Sequence, residues 1–586
     1  MEIWFDPTQQ LSDILHDCAN KAGLGEGFDP MLRSADPRFG DVQANGVLPW
    51  AKRNKTNPRE AATKLLKALQ ESNALDSNLV EISVAGPGFI NFRLTPEFLL
   101  QWMQTYATSD NIKNQTSKFE EGRSVVVDFS APNTAKQMHV GHIRSTVIGE
   151  AISRLLETFG AKVVRDNHIG DWGTQFGMLI WAIKDSNYDL DAEHEDALAD
   201  LENLYKAGNA AYKSSDETAQ HVRDELVKLQ NGDPENTRLW KRITEISWVA
   251  FKEIYDRLNI HFDEVLGESF YRDKVDRIYE ELTELKLAEK SQGALVVFHP
   301  EHKRFAKQPF IIRKADGASN YATTDLATIL YRWEHFNVDE VIYVVDARQS
   351  DHFEQLFLTT KKWFDGKNRS QPKLAHVSFG TINGEDGKAI KTKEGGSVKL
   401  KELMKEAVDR SFAIVTEKNP ELPEEERHEI AEAVGLGAIR YTDLSQNRSS
   451  DYIFSWEKML SFEGNTAPYL LYAIARIHSI FRKADLKPGD NETVATVPET
   501  EEEIALARKL LGYTVALKQA RSDLRPHFLC TYLFELSGAF SSFYNANKVI
   551  VDDETVKARR LMLCSRTLTV LEHGLNILGL TTLKRM

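Results

Sequence analysis

Cysteine is scarce in this chain of 586 residues, where Cys18, Cys530 and Cys564 stand far apart. That spacing offers neither a disulfide framework nor a Cys-x-x-Cys pair, so the thiols read as structural and no structural zinc is expected. Long hydrophobic runs are missing too: nothing reaches the roughly 18 apolar residues of a membrane span. The opening Met1-Glu-Ile-Trp-Phe-Asp6 lacks the basic and apolar regions of a secretory signal. A cytoplasmic protein with no membrane partner is the expectation. Excess positive charge is also lacking, the formal net charge being −14. Indiscriminate nucleic-acid binding, which draws its affinity from Lys and Arg on phosphates, is thereby disfavoured. A specific RNA ligand stays open, because local charge matters more than the sum. Acidic residues gather away from the motifs, from Asp189 to Glu202, while Lys557, Arg559, Arg560 and Arg566 crowd a C-terminal segment.

What is present is a sharp local pattern. Ser124 to Phe129 is β-branched and apolar enough for a buried parallel strand, and Ile143, Val147, Ala151 and Leu155 recur at helical spacing as far as Gly160. Between them lie Asn133, Lys136, His139, Gly141 and His142. The His-x-Gly-His signature thus falls at a helix N-terminus, where unpaired N–H groups and the dipole favour phosphate. Gly141 lets a nucleotide approach the backbone, and both imidazoles can donate to phosphate oxygens. Two histidines beside a glycine also arise by chance, so the setting counts for more than the four residues.

Length suggests three or four domains. Residues 1–110 read as an α/β module, with helices over 8–23 and 57–73 and short strands at Val80–Val84 and Phe89–Leu94. Thr108–Arg123 is polar and linker-like. Over 118–456 strands alternate with helices, the pattern of a doubly wound parallel sheet. A charged, mostly helical insertion spans about 180–295, with Trp240, Ile243, Ile246 and Phe251 on one apolar face. The sheet is expected to resume with Ala294–Phe298, Phe310–Arg313 and Glu340–Val345. Beyond 456 strand signals nearly vanish. Leu470, Ile474, Ile477 and Phe481 form one helical stripe, and others over 503–520, 529–546 and 555–578 predict an all-α bundle across 457–586.

The segment Asp128–Gly149, together with Asn167–Gly177, closely resembles the arginyl-tRNA synthetases, a class I aminoacyl-tRNA synthetase family. Phe39–Asn45, Ala85–Asn91, Tyr321–Asp325, Lys391–Gly396 and Gly464–Arg476 are similar to the same family in the same order, so the resemblance covers nearly the whole chain. It implies an α/β fold: a Rossmann-like doubly wound catalytic domain with a helical connective insertion, an N-terminal α/β tRNA-binding domain and a C-terminal helical anticodon-binding domain. It also implies a monomer that uses ATP, with Mg²⁺, to activate L-arginine and then passes it to the terminal ribose of tRNA(Arg), with tRNA needed for activation. Both attacking groups then come from substrates, so the protein must align them and stabilise charge on phosphate oxygens.

The resemblance carries over to particular residues. His139, Gly141, His142 and Lys136 match the ATP site. The mobile lysine loop of class I enzymes is reduced here to Lys391-Thr-Lys393-Glu-Gly-Gly396, which lacks the terminal Lys-Ser; the resemblance implies Lys391 and Lys393 as catalytic cations with Lys136 supplying the missing charge, and a solvated loop is the alternative for Lys391 and Lys393. For arginine, a guanidinium fork demands carboxylates and planar acceptors. The implied set is Asp128 for the α-amino end, Asn133 and His139 along the backbone, Tyr321 and Asp325 for the guanidinium, and Gln349 at the amino-acid end. Tyr321 and Asp325 share one helix face by spacing. Gly170–Gly173 either lines the pocket or makes a tight turn. Phe39, Gln43 and Asn45 combine an aromatic face with amide edges suited to an unstacked tRNA base. Tyr469, Arg476, Phe543, Tyr544 and Asn547 are candidates for anticodon bases, although aromatics at helical spacing are more often core.

Two other readings compete. A small-molecule nucleotidyltransferase shares a His-x-Gly-His site but leaves the N-terminal module and the helical bundle unexplained. A silent synthetase-like RNA-binding protein is disfavoured by the intact Asn133, His139, His142 and Asp325. Cysteinyl or methionyl specificity is disfavoured by the missing cysteine zinc site, whereas Asp128 and Asp325 suit a cationic substrate.

Overall fold

Side-chain caps start the N-terminal module. Asp6 and Asn57 accept backbone N–H groups ahead of Pro7 and Pro58, and the helices Pro7–Lys21 and Pro58–Glu71 follow. They pack beside an antiparallel sheet of β1 (Leu32–Ser34), β2 (Val42–Ala44), β3 (Val80–Ala85) and β4 (Phe89–Leu94), in the order β1-β2-β4-β3. The structure, a computed structural model, describes residues 3–25, 27–36, 38–388, 390, 398–490 and 495–586. The stretch 108–123 is no plain linker: Thr108 caps a helix, Ser109–Thr116, whose Ile112 is buried. A single threonine cap among polar residues carried that signal.

The middle of the chain is built on a parallel sheet of β5 (Ser124–Asp128), β6 (Lys162–Asp166), β10 (Glu340–Tyr343) and β11 (Lys373–His376), ordered β11-β10-β5-β6. Val125, Val126 and Val127 are fully buried, as a strand covered on both faces requires. The helix Val140–Thr158 lies close on β5 because Gly149 has no side chain; a Cβ there would stand 2.2 Å from Cγ of Phe129.

Two expected strands belong elsewhere. Ala294–Val297 (β8) and Phe310–Arg313 (β9) join Ala288–Ser291 (β7) in a separate antiparallel sheet. The cause is local: Gln292 and Gly293, with φ of 49° and 83°, make a two-residue hairpin turn between β7 and β8. Preceding this sheet, the insertion contributes the helices Ala197–Tyr212, Asp216–Gln230 and Pro234–Arg257. Ile243 and Phe251 on the last of these are fully buried, with Trp240 and Ile246 partly so.

The C-terminal bundle comprises Ala467–Ala484, Glu501–Leu511, Tyr513–Asp523, His527–Ala546 and Glu554–Ile577. The stripe over 503–520 is two helices, divided at Gly512, whose N–H reaches back to the carbonyls of Arg508 and Lys509. The basic C-terminal segment faces inward. Arg559 is buried against Glu499 and Glu503, and buried Arg566 donates to the carbonyl of Met103 at 2.8 Å. Ion pairs bind the bundle to the rest: Lys518 to Asp6 at 2.5 Å, Arg508 to Asp41 at 2.8 Å, and Arg521 to both Glu120 and Glu340 at 2.7 Å.

One junction works without an ion pair to any described residue. Buried Arg440 donates to the carbonyls of Leu258 and Leu578, which lie just past the ends of the helices Pro234–Arg257 and Glu554–Ile577. The negative ends of two helix dipoles stand in for a counterion. Burial lowers this guanidinium to about 10. No helix among the described residues is long and apolar enough to cross a membrane.

Candidate active site

The strand order reverses between β5 and β10, and in open parallel sheets that reversal opens a crevice at the carboxyl ends of the strands. A cavity of about 680 Å³ lies there, lined by Ser130, Asn133, His139, Gly141 and His142 after β5 and by Asp346 and Gln349 after β10. The loop leading into the signature is bent: Ser130, Ala131 and Ala135 have φ of 75°, 46° and 60°. Such backbone costs of order 1 kcal/mol or more per residue and persists only where its surroundings fix it. Here the surroundings are explicit. Ser130 Oγ pairs with Tyr255 Oη at 2.7 Å, Ala131 N donates to Asn167 Oδ1 at 3.1 Å, and Ala135 N donates to Ser247 Oγ at 2.9 Å. Tyr255 and Ser247 both come from the helix Pro234–Arg257.

His139 caps the signature helix. Its Nδ1 accepts from Gly141 N at 3.1 Å, while Nδ1 of His142 accepts from His139 N at 3.0 Å. An Nδ1 that accepts leaves the ring proton on Nε2, so each imidazole keeps a donor for a phosphate oxygen. Both rings are neutral. Burial lowers His139, helped by the charge of Lys399, and burial with the neighbouring ring lowers His142 to about 3. Gly141 leaves the His139 ring its place: a Cβ there would stand 2.9 Å from Cε1 of His139 and push the ring aside.

Asp325, Glu268 and Asp171 form an acidic cluster whose charges act on one another. Asp325, on the helix Tyr321–Phe336 begun by the Asn320 cap, is 2.5 Å from Nε2 of His352, three residues beyond Gln349. Tyr321 stands 71% exposed on the same helix, and its phenol is raised first by the charge of Glu268. Glu268 escaped the sequence reading because it sits at the start of a four-residue helix, Glu268–Tyr271, with no motif around it. Burial pushes its carboxyl up to about 7, with Asp171 and Asp325 adding to the rise against His168.

Asp128 is less free than expected. Its Oδ2 accepts from Arg332 at 2.6 Å, and the same guanidinium nitrogen reaches Asp166 at 2.7 Å. Any contact with a substrate amine therefore falls to its other oxygen or competes with Arg332. The Gly170 segment both turns and makes room: a Cβ on Gly170 would stand 2.1 Å from Oδ1 of Asn133, while Asp171 accepts from Ser269 N and Oγ. Lys136 does not line the cavity; its ammonium stands 4.7 Å over the Tyr205 ring. Lys391 and Lys393 lie outside the described residues. A second cavity, about 740 Å³, is lined by the signature helix and the last helix, and two of its cations, Arg154 and Arg165, are already paired with Glu150 and Glu157.

The chain matches three families in sequence order: "Arginyl tRNA synthetase N terminal domain" over 8–94, "tRNA synthetases class I (R), catalytic domain" over 106–456 and "DALR anticodon binding domain" over 470–586. It is 44% identical to the arginine–tRNA ligase of Colwellia psychrerythraea over 586 residues, covering 98% of this chain and 99% of that one. It belongs to the arginyl-tRNA synthetase family. The Chromobacterium violaceum arginine–tRNA ligase is 42% identical, with 99% of each chain covered. Among solved structures, the arginyl-tRNA synthetase of Plasmodium falciparum aligns with a TM-score of 0.83 at 29% identity over 99% of each chain. That of Thermus thermophilus aligns at 0.81 and 25%, over 99% of this chain and 100% of that one.

Within this arginyl-tRNA synthetase family member, the residues expected to meet tRNA separate by exposure. Phe39 is 48% exposed with Arg38 5.6 Å above its ring, whereas Gln43 donates to Asn91 Oδ1 at 2.7 Å and Asn45 N bonds to Met31 O. In the bundle, Arg476 lies between Tyr472 and Tyr544, at 4.8 and 5.6 Å from their rings. Tyr472, 42% exposed, was missed because it stands on the solvent side of a strong apolar stripe. Tyr469 packs against Phe534 and is partly buried. Phe543 and Asn547 are corrections: Phe543 is wholly buried, and buried Asn547 accepts from Thr500 and Arg560.

Proposed function

We propose that this chain is an arginine–tRNA ligase: it joins L-arginine to ATP as arginyl-adenylate, releases pyrophosphate, and transfers arginine to the 3′-terminal ribose of tRNA(Arg). The observation that carries the reading is the pairing of two neutral, Nε2-donating histidines with an acidic cluster of Asp325 and Glu268. His139 and His142 would hold the triphosphate, with Gly141 giving access and Lys136 adding charge. Lys391 and Lys393 complete that set in the reading. Asp325, Tyr321 and Glu268 would take the guanidinium fork, Asn133 and Gln349 the amino-acid end, and Asp128 the α-amino group. Phe39, Gln43, Asn45, Tyr469, Arg476 and Tyr544 would contact tRNA.

The proposed division is 1–110 for an added tRNA-binding domain, 118–456 for catalysis and 457–586 for the anticodon. The protein would act as a cytoplasmic monomer whose activation step needs tRNA. Among the described residues no group of three or more His, Cys, Asp or Glu is placed to hold a metal ion. Mg²⁺ would arrive with the ATP phosphates, and no step is routed through it.

The test is arginine-dependent ATP–pyrophosphate exchange, with and without tRNA(Arg) and with lysine as competitor. Exchange with arginine only in the presence of tRNA is the expected result. Exchange without tRNA would remove the tRNA requirement, and no exchange under any condition would remove the ligase. Within the pocket, Asp325→Asn raises the arginine KM more than the ATP KM.

A further inference from the structure

The segment Val398–Leu400 is joined edge to edge with the histidine signature. Val140 N donates to Val398 O, and Leu400 N to Met138 O, each at 2.9 Å. His139 and Lys399 are left opposite one another in an antiparallel bridge, where facing residues share one side. The Lys399 ammonium contacts Glu202 Oε2 at 2.5 Å. Glu202 comes from the insertion helix Ala197–Tyr212, as does Tyr205 beneath Lys136, and its other oxygen meets Lys206 at 3.1 Å. Far in sequence from the motifs, Glu202 thus touches them in space and also accepts from Gln137 N at 3.4 Å. Two ammonium groups, those of Lys399 and Lys206, hold one carboxylate beside the site read above as the triphosphate site.

We infer that Lys399 is a catalytic residue held in reserve by Glu202: when ATP fills the signature cavity, Lys399 leaves the carboxylate and pairs with the β- and γ-phosphates. The inference rests on the ligase reading and deepens it. The exchange leaves no carboxylate bare, because Glu202 keeps Lys206 and Gln137 N when Lys399 departs. It is favourable, because a triphosphate carries more negative charge than one carboxylate, and lysine's flexible stem can reorient. In the step itself, an arginine carboxylate oxygen bonds to the α-phosphorus. The bond from that phosphorus to the bridging oxygen breaks, and its electron pair leaves with pyrophosphate. Lys399 keeps its proton and offsets the leaving charge, supplying a cation on the C-terminal side of the reduced lysine loop.

The experiment is arginine-driven ATP–pyrophosphate exchange on the full chain with saturating tRNA(Arg), for the wild type, Lys399→Ala, Lys399→Arg, Glu202→Gln and the Glu202→Gln/Lys399→Ala double variant. Lys399→Ala is expected to lower kcat about 100-fold with little change in the arginine KM, and Lys399→Arg to recover most of that loss. Glu202→Gln is expected to lower the ATP KM, and this gain disappears in the double variant. A wild-type kcat in Lys399→Ala overturns the inference, as does a Glu202→Gln gain of equal size in both backgrounds. Should Lys399→Ala lose its folded circular-dichroism spectrum, Glu202→Gln carries the test, and an unchanged ATP KM there overturns it. A wild type inactive with arginine refutes the ligase reading instead, which keeps the two failures distinct.

Discussion

Glu268 titrates near neutrality because burial, reinforced by Asp171 and Asp325, outweighs the pull of His168. A carboxyl raised in this way favours its protonated form in the folded chain, so its contribution to stability is present below the unfolded value near 4.5 and is lost as pH rises through about 7. Arginine binding runs the opposite way, since the guanidinium needs the carboxylate. The arginine KM should therefore fall about tenfold per pH unit on approaching pH 7 from below and level off above it. Glu268→Gln should erase this limb in steady-state exchange, and a KM already flat in the wild type would remove Glu268 from the pocket. His142, held to about 3, adds no limb near neutrality. Gly141→Ala tests the histidine pair from the other side. Its methyl group displaces the His139 ring, so kcat drops about 100-fold, while alanine's better helix propensity offsets much of the lost cap and the thermal midpoint moves little.

At the scale of elements, the helix Pro234–Arg257 acts as a brace for the bent loop 130–135. Tyr255→Phe removes the partner of Ser130 and Asn167 at a cost of about 1–2 kcal/mol in stability. Its effect on kcat should exceed what that destabilisation explains at a temperature where the variant is fully folded; equal kcat would mean the loop keeps its shape unaided. This brace also marks how far the sequence could be read. The apolar face of the helix was visible from its period, but the inward reach of Tyr255 and Ser247 was not, because both answer to a loop more than 100 residues away. The strand β5 and the signature helix were legible for the same local reason. The membership of β8 and β9 was not, because alternation reveals a strand and not its partner. Glu202 and Glu268 were invisible as site residues: each is one acidic side chain in a charged insertion until folding brings it beside Lys399 or Asp325.

For the molecule as a whole, Arg521 is the tie between the bundle and the base of the catalytic sheet, since it reaches Glu120 and fully buried Glu340 together. Arg521→Ala leaves Glu340 with Arg123 and Lys373, so the loss should be near the low end for a broken buried pair, about 3 kcal/mol. Urea unfolding measures it, and hydrogen exchange should quicken first in the helix Tyr513–Asp523. A loss below about 1 kcal/mol would mean that Arg521 is not the tie and that the remaining contacts of the bundle hold it. The Arg440 junction sets a contrast. Its guanidinium is bound to peptide carbonyls in a buried site, where mobile ions do not compete, whereas the Asp6–Lys518 and Asp41–Arg508 links are partly open to solvent. Ionic strength therefore acts unevenly on this molecule: concentrated salt loosens the grip on the N-terminal module while the seam closed by Arg440 stays shut.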